Sequence, residues 1–393
     1  MQRKIKLVII IATLSNGGAE RIAALLSENL PDNFEVSFLL YKDEVFYSYS
    51  GNKYILKVNT DNKIIKQILN LRAINKYIDE IKPDLTLSFL TNPNILNLLS
   101  ISHTKIISVR GVRSKSLKGL GGFIYKNLIK LFYNKADSIV ALSKGVKEDL
   151  IDNFKIHSNN INIIYNFCDI ERITNEKNIK LDIKNHKIFE KPSIITAGRL
   201  EFPKGHFNLL RAFKNVKNSI HDAQLIILGK GKLKKDLVKL AKELNIFNSV
   251  HFLGFVENPF KYFSKADIFV LPSIMEGFGN VIIEAMACSL PIISTDCIGP
   301  KEIITNSANI KVEDEILYAE HGVLTPVFKN NKYRNNNSLT KEEVLFSSAI
   351  INLLNNSSLK NRYKLESQKR VKDFSKDKIV KNWIKVLNDF NLS

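Results

Sequence analysis

Two glutamates, Glu276 and Glu284, lie on either side of a turn that contains Gly277 and Gly279. The turn joins two apolar runs that are typical of a strand and a helix, and the helix is predicted to begin near Asn280. A carboxylate withdrawn from water is costly unless a partner compensates it. Two carboxylates beside free backbone amides suit a ligand rich in hydroxyl groups, because each oxygen can accept hydrogen bonds from neighbouring hydroxyls.

An alternative reading assigns these carboxylates to helix stabilisation. In the first turn of the predicted helix, Glu284 would complement the helix dipole. This reading is incomplete, since with Asn280 as the cap the reciprocal capping position would be Ile283. It also leaves Glu276, which precedes the helix, without a role. The sequence therefore favours a ligand site over a purely structural arrangement.

Two cations occupy one loop in the stretch GRLEFPKG. Arg199 and Lys204 follow a predicted strand and precede an amphipathic helix. Ligands of parallel sheets bind beyond the carboxyl ends of the strands, and a helix N-terminus also favours negative charge. The loop is therefore predicted to hold a diphosphate. Either residue alone would more often be a solvated surface cation.

Glycines mark three further strand-to-helix loops. Gly17 and Gly18 follow the first predicted strand and allow backbone amides to approach an anion. They lack the spacing of a dinucleotide-binding motif, so the signal is weak alone. Gly229 and Gly254 follow two later strands, where backbone groups can hydrogen-bond a nucleobase. Ordinary turn glycines remain the alternative for both.

Ten buried, β-branched runs alternate with helical patterns, which is typical of parallel sheets with crossover helices. They form two sets, separated by a polar segment, and predict two doubly wound α/β domains facing each other. We place these domains at residues 1–172 and 191–370, with an interdomain linker at 173–190. In chain order the runs are KLVIIIA, EVSFLL, LTLSFL, KIISV, SIVAL, SIITAG, AQLIILG, SVHFLG, IFVLPS and PIIST. An Asn-rich stretch precedes a further helix predicted to start near Thr340.

Composition narrows the class of protein. With 393 residues, 45% hydrophobic and 25% charged, the chain fits two globular domains rather than a disordered or polytopic membrane protein. No run reaches the roughly 18 apolar residues that a membrane span needs. The three cysteines, Cys168, Cys288 and Cys297, lack metal-ligand spacing, so neither a zinc site nor a disulfide framework is predicted. These features favour the cytoplasm.

The formal net charge of +19 favours anionic partners. Residues 101–136 contain eight Lys or Arg residues and no Asp or Glu. Within them, residues 113–135 interleave lysines with large apolar side chains, which predicts a basic amphipathic helix on an anionic membrane surface. A core-facing helix with a solvated lysine face is the alternative. Nucleic-acid binding would also explain the charge, but no recognition motif supports it.

Cations for a diphosphate, glycines near a base and carboxylates for hydroxyls together describe a nucleotide-sugar site. The motifs EGFGNVIIE and GRLEFPKG, with SNGGAER, YNFCD, STDCIGPKEI and HGVLTP, resemble those of glycosyltransferase family 4. The resemblance covers nearly the whole chain and is closest in wording to bacterial enzymes of O-antigen, capsule or other lipid-linked glycans. It implies a GT-B fold with two Rossmann-like domains. A GT-B nucleotide-sugar epimerase is the second enzyme reading.

The resemblance also implies roles for individual residues. Arg199 and Lys204 would bind the donor diphosphate and stabilise it as it leaves, and Glu284 would hold the ribose hydroxyls. The transferred sugar would contact Glu276 and the backbone of Gly277, Phe278, Gly279 and Asn280. Gly17 and Gly18 would reach the phosphates from the other domain, and Gly229 and Gly254 would lie near the base.

Further expectations follow from the same resemblance. The reaction would retain the anomeric configuration, need no metal or other cofactor, and move a hexose or N-acetylhexosamine, with UDP favoured, to a lipid-linked saccharide. Many relatives carry a histidine after the strand equivalent to KIISV, whereas this chain has Arg110 and Arg113 there. These arginines could meet an acceptor pyrophosphate, with a solvated face as the equal alternative. Residues 371–393, with Trp383, would form a helix crossing back to the first domain. The enzyme would be peripheral on the cytoplasmic face of the inner membrane.

Overall fold

The chain folds into two compact units. The structure, a computed structural model, describes residues 3–15, 17–329 and 338–390. Unit 1 comprises Met1–Phe167 with Asp377–Ser393, and unit 2 comprises Cys168–Lys376. Each unit contains its own seven-stranded sheet. All ten predicted runs form strands, and the predicted pair of α/β domains is confirmed.

The sheet of unit 1 is parallel throughout, and its central strands are buried on both faces, which is why they read as continuous apolar runs. Its strands are β1 (Ile5–Ile11), β2 (Phe34–Leu40), β3 (Asn52–Ile55), β4 (Leu85–Phe89), β5 (Thr104–Val109), β6 (Ser138–Ala141) and β7 (Ile161–Ile163). They lie in the order β3-β2-β1-β4-β5-β6-β7, so β1, β4 and β5 are neighbours at the centre.

Helices connect these strands. They are α1 (Gly18–Asn29), α2 (Lys63–Ile81), α3 (Thr91–Leu99), α4 (Arg113–Ser116), α5 (Gly119–Phe132) and α6 (Lys144–Phe154). Local capping sets several starts: the Asn62 side chain accepts hydrogen bonds from two amides of α2, and the Ser143 side chain accepts one from α6. Helices α3 and α6 begin within three residues of the carboxyl end of the preceding strand.

Unit 2 repeats the architecture with one antiparallel edge strand, β13. Its strands are β8 (Ser193–Ala197), β9 (Gln224–Leu228), β10 (Val250–Gly254), β11 (Ile268–Leu271), β12 (Ile292–Thr295), β13 (Leu317–Tyr318) and β14 (Val323–Thr325). Their order is β10-β9-β8-β11-β12-β14-β13. The loops after β8 and β11 therefore lie side by side at one edge of the sheet.

The helices of unit 2 are α7 (Ile170–Glu176), α8 (Ile183–His186), α9 (His206–Ser219), α10 (Lys234–Glu243), α11 (Phe260–Phe263), α12 (Asn280–Ala287), α13 (Ile298–Thr305), α14 (Lys341–Asn355) and α15 (Ser357–Arg370). A capping box formed by Thr340 and Glu343 starts α14 where the sequence predicts a helix. The Asn-rich stretch before it, at residues 330–337, lies outside the described residues.

The last helix, α16 (Lys376–Asn388), packs against the core of unit 1. Its Trp383 is 1% exposed, and the ring centroid lies 5.9 Å from that of Phe89 on β4. Trp383 thus ties the end of the chain to unit 1. Among the described residues, no helix has the length and apolar character needed to cross a membrane.

The boundaries between units differ from the predicted ones. The chain leaves unit 1 after Phe167, and residues 173–190, predicted as a linker, belong to unit 2. The Asn258 amide donates to the Glu176 carbonyl, and the Lys177 Nζ atom donates to the Ala287 carbonyl. Polar composition suggested a free connection, but these hydrogen bonds attach the segment to unit 2.

Candidate functional site

Three glycines bring the ends of β8, β9 and β10 into direct backbone contact. The Gly198 amide donates to the Leu228 carbonyl at 2.9 Å, and the Gly229 amide donates to the Gly254 carbonyl at 2.7 Å. Gly229 has φ +137°, and a Cβ atom there would lie 1.9 Å from the Gly198 carbonyl oxygen. Only glycine permits this approach. The structure thus brings together Gly229 and Gly254, the two predicted base-contacting residues.

The predicted cations have different environments. Lys204 ends a short 3-10 helix, Phe202–Lys204, and its Nζ atom lies 2.5 Å from Glu276 Oε2. The side chains of this pair are only 22% and 16% exposed. Arg199 is 75% exposed, and its Nη1 atom is 3.5 Å from Glu201 Oε2. The structure therefore joins Lys204 to Glu276 and leaves Arg199 extended towards solvent.

The loops that carry this ion pair are locked to each other. The Ile274 amide donates to the Pro203 carbonyl at 2.8 Å. Gly205, with φ +68°, packs so tightly that a Cβ atom would lie 1.8 Å from the Pro272 carbonyl oxygen. Glu276 Oε1 also accepts a hydrogen bond of 3.2 Å from the Gly277 amide. The position of the cation relative to the carboxylate is thus set by backbone contacts between the two loops.

The start of α12 corrects one expectation. Gly279, with φ +91°, is the N-cap, and Asn280 is the first helical residue. Glu284 is therefore the fifth residue of the helix, beyond its first turn, and its predicted position there is wrong. The shift arises because glycine, rather than Asn280, takes the left-handed cap conformation. The dipole interaction proposed as the alternative reading of Glu284 is accordingly weakened.

Glu284 lies near a residue that sequence reasoning missed. The pKa of Arg172 on α7 is raised by its hydrogen bond to Glu176, with smaller contributions from other carboxylates that include Glu284. The Arg172 Nε atom lies 2.6 Å from Glu176 Oε1. No motif in the sequence marks Arg172, because it approaches Glu284 only through the packing of α7 against α12.

Phe278 and Gly299 fix the turn that follows Glu276. The Phe278 side chain is buried, and its ring centroid lies 5.7 Å from that of Phe374. A Cβ atom on Gly299, at the start of α13, would lie 2.2 Å from the Phe278 Cα atom. Phe278 can therefore offer a ligand its backbone but not its ring. Gly299 and Gly205 were both missed, although a glycine next to a helix start is a signal for close packing.

In unit 1, Gly17 is the N-cap of α1 and Gly18 is its first residue, while Asn16 of the same motif lies outside the described residues. The Glu20 carboxylate lies against Gly17, since a Cβ atom there would be 2.1 Å from Glu20 Oε2. Burial raises the pKa of Glu20, against the effect of hydrogen bonds from the Glu20 and Ala19 amides. The first amides of α1 are thus engaged by their own helix.

Arg110 and Arg113 follow β5 and are both half-buried. The Arg110 guanidinium donates to Asn166 Oδ1, to the Ile164 carbonyl at 3.4 Å and to Ser108 Oγ at 3.5 Å. Desolvation lowers the pKa of Arg110 to about 9. For Arg113 desolvation also lowers the pKa, but Tyr133 and Asp149 oppose that shift. Asp149 therefore partly compensates the charge of Arg113, whereas the hydrogen-bond partners of Arg110 are all neutral.

The basic segment 113–135 contains α4 and α5, and several of its large apolar residues are exposed although Ile129 and Tyr133 are buried. Within α5, the buried residues are Gly122 and Ile129. Leu120 is 80% exposed, Phe123 65% and Leu131 64%. The alternative of a helix that buries its apolar side chains in the core does not describe this arrangement.

Among the residues that the structure describes, one group could in principle ligate a metal ion: Glu320, His321 and Glu366. The His321 Nε2 atom lies 3.6 Å from Glu320 Oε2, whereas its Nδ1 atom lies 3.4 Å from Glu366 Oε2. The ligand atoms of the three residues lie within 4.8 Å of one another. Desolvation lowers the pKa of His321, which favours its neutral form.

Two family models match the chain. One, described as Glycosyltransferase Family 4, matches residues 16–172, and the other, described as Glycosyl transferases group 1, matches residues 177–321. An uncharacterised glycosyltransferase of Methanocaldococcus jannaschii is 33% identical over 82% of this chain and 82% of its own length.

A second relative covers nearly the full length. This N-acetylgalactosamine-N,N'-diacetylbacillosaminyl-diphospho-undecaprenol 4-alpha-N-acetylgalactosaminyltransferase of Campylobacter jejuni is 32% identical over 97% of this chain and 99% of its own length. Among solved structures, HepE of Anabaena in complex with UDP has a TM-score of 0.75 at 17% identity, covering 98% of this chain and 100% of HepE. At that identity the likeness shows the fold alone.

Proposed function

This chain belongs to glycosyltransferase family 4 and has a GT-B fold, and we propose that it is a retaining enzyme that moves a hexose or N-acetylhexosamine from a UDP-sugar to a lipid-linked saccharide. The Campylobacter relative supports the acceptor class, because its name specifies a diphospho-undecaprenol substrate. HepE in complex with UDP supports the nucleotide. The family matches favour this function over an epimerase or a nucleic-acid-binding protein.

The Lys204–Glu276 pair is the observation that carries the proposal. It places a cation and a carboxylate at the carboxyl ends of adjacent strands, β8 and β11, in the partly buried setting where charges interact strongly. At an effective dielectric constant near 20, two unit charges 4 Å apart interact by about 4 kcal/mol. Lys204 could therefore stabilise the negative charge that develops on a departing diphosphate.

The remaining donor contacts are distributed around this pair. The exposed Arg199 side chain reaches the diphosphate by moving from Glu201, a rearrangement that breaks only one weak surface ion pair. The backbone at Gly229 and Gly254 faces the base, and Glu284 accepts from the ribose hydroxyls. The transferred sugar meets Glu276 and the backbone of residues 277–280.

The reaction follows a front-face route. The acceptor hydroxyl oxygen forms a bond to the anomeric carbon while the bond from that carbon to the diphosphate oxygen breaks. The leaving diphosphate lies on the same face and takes the hydroxyl proton, so the configuration is retained without an enzymic nucleophile. Because Lys204 and Arg199 supply positive charge, the proposed reaction uses no metal ion, and activity should persist in excess chelator.

Nucleotide titration tests the donor site directly. Calorimetry with UDP and GDP on the wild type should show selective UDP binding, and both Lys204→Ala and Glu284→Ala should weaken it at least tenfold, the loss expected from one charged hydrogen bond. Lys239→Ala is the matched control, because this lysine lies on α10 and is 72% exposed. Full-strength binding in both site variants, or no nucleotide binding by the wild type, would contradict the proposal.

The outward-facing α5 supports binding to an anionic lipid surface, where the lipid-linked acceptor resides. Leu120, Phe123 and Leu131 would enter the interface while Lys126 and Lys130 meet lipid phosphates. This arrangement keeps the enzyme at the membrane without a spanning helix.

Liposome flotation tests that surface. Vesicles containing an anionic phospholipid should bind the wild type, and the triple variant with glutamate at Lys118, Lys126 and Lys130 should not bind. The matched control carries glutamate at Lys234, Lys235 and Lys239 of α10, which has the same change in net charge but no exposed large apolar side chain. Equal binding by the two triple variants would show that α5 is not the contact.

A further inference from the structure

Arg110 is a partly buried cation whose hydrogen-bond partners are all neutral. Its guanidinium donates to one side-chain amide oxygen, one carbonyl and one hydroxyl, from Asn166, Ile164 and Ser108. Its Nε atom is buried and has no hydrogen-bond partner among the described residues. One donor of the guanidinium therefore remains unused, while the side chain as a whole is only partly buried.

Two other arginines show how this protein compensates buried charge. Arg211 lies 2.9 Å from Glu343, which is 1% exposed, and its charge is neutralised there. Arg113 has Asp149 nearby, whose carboxylate accepts from the Arg113 amide at 2.7 Å, although its Nε atom, like that of Arg110, has no hydrogen-bond partner among the described residues. Within the described ranges no carboxylate is paired with Arg110. A partly buried charge without a counter-ion is unfavourable, so an anionic ligand at Arg110 would be stabilised.

The surroundings of Arg110 add further positive potential. It follows β5 directly, and the neighbouring strand β4 leads into the N-terminus of α3 at Thr91. Between them, Leu90 adopts φ +74° and ψ 161°, a conformation that is strained for any residue but glycine. The N-terminus of α1 at Gly18 lies two strands away, about 10 Å along the sheet edge.

Glu20 lies in the first turn of α1 and is engaged by the first amides of that helix. It is therefore not the missing partner of Arg110. The uncompensated charge, the unused Nε donor and the helix terminus beside it all select for a compact oxyanion.

We propose that Arg110 binds a phosphoryl group of a substrate in unit 1. The proposal rests on the proposed function, which supplies two diphosphates: one in the acceptor and one in the donor. Arginine suits either, because its planar fork can donate two parallel hydrogen bonds to phosphate oxygens. The Asn166 and Ile164 contacts hold the guanidinium in place without neutralising it.

The test is calorimetric titration of inorganic pyrophosphate into the full chain saturated with UDP. If Arg110 serves the acceptor, the wild type should bind about one further equivalent of pyrophosphate, and Arg110→Met should weaken this binding at least tenfold. Arg110→Lys keeps the charge and the fold but loses the fork, so an intermediate loss is expected. Arg3→Met is the control, because Arg3 is 71% exposed in the same unit.

Other outcomes discriminate between the sources. If UDP-saturated protein binds no pyrophosphate but Arg110→Met weakens UDP binding tenfold, the bound phosphoryl group is the donor's. If UDP does not bind at all, the proposed donor site fails. The pyrophosphate titration is then repeated in the Lys204→Ala background. Loss of pyrophosphate binding when Arg110→Met is added to that background still supports this site. Unchanged UDP and pyrophosphate binding in both Arg110 variants overturns it.

Discussion

Replacing Gly205 by alanine should damage both the stability of unit 2 and its nucleotide site. Gly205 follows Lys204 and caps α9, with φ +68°. An added Cβ atom would lie 1.8 Å from the Pro272 carbonyl oxygen, far inside van der Waals contact. The carbonyl oxygen and the Cβ atom are both bonded directly to the backbone, so neither can rotate away from the other. To relieve this clash, the loop that carries Lys204 must move away from the loop that carries Glu276.

Two terms make up the expected loss. Left-handed backbone costs alanine about 1–2 kcal/mol relative to glycine, and relief of an overpacked contact costs about 1–3 kcal/mol more. Separation by about 1 Å also displaces Lys204 from Glu276, and misplacement of that size can reduce catalysis about 100-fold. The variant should therefore lose about 2–5 kcal/mol of stability in unit 2 and bind UDP at least tenfold more weakly.

Gly119→Ala is a matched control. Gly119 has the same φ of +68°, but nothing lies within 4 Å of its added Cβ atom. It should lose only the left-handed term and bind UDP normally. Urea unfolding followed by circular dichroism reports the loss, while the fluorescence of Trp383, the single tryptophan, reports unit 1 separately. A Gly205→Ala variant as stable as Gly119→Ala, with wild-type UDP affinity, would refute the steric argument.

Three further predictions concern the units that carry the site. Glu343→Gln should cost unit 2 about 3–5 kcal/mol in urea unfolding, because it leaves buried Arg211 without its counter-charge; a loss below 1 kcal/mol would contradict this. Burial lowers the pKa of His206 to about 4. Between pH 6.5 and pH 4, His206 therefore binds a proton in the unfolded chain but stays neutral in the folded chain. Stability should fall by about 3 kcal/mol between pH 6.5 and pH 4 through this residue, and His206→Gln should show a shallower decline in the same unfolding series. Trp383→Ala should cost unit 1 about 3–5 kcal/mol, measured by circular dichroism, because it empties a core position; an unchanged midpoint would show that α16 is not part of that core.

Most of the strands that sequence reasoning missed are short and partly exposed, whereas β14 is buried but has only three residues. Strands such as β1, β5 and β11 are covered on both faces, so nearly every residue in them is apolar and the run stands out. The edge strands β3 and β7 are short and partly exposed, and their residues resemble a loop. Their pairing depends on the neighbouring strand, which no local pattern records.

In the candidate site, too, the sequence identified individual residues but not the contacts between them. Arg199, Lys204, Glu276 and Glu284 could be singled out because their types and positions in strand-to-helix loops suit one ligand. Their relations could not be predicted: Lys204 touches Glu276, which is 72 positions away in the chain, while Arg199 extends into solvent. Such contacts are set by how two loops pack, not by either loop alone.

The sequence by itself determined the α/β class, the ten principal strands and the family, because periodicity and motifs are properties of short segments. The tertiary structure decided which charges are compensated and which apolar side chains stay exposed. It partly buried Arg110 with no carboxylate partner among the described residues and left Leu120 exposed on α5. The reason is physical: burial and electrostatic compensation depend on what other segments place around a side chain, and those segments are distant in sequence.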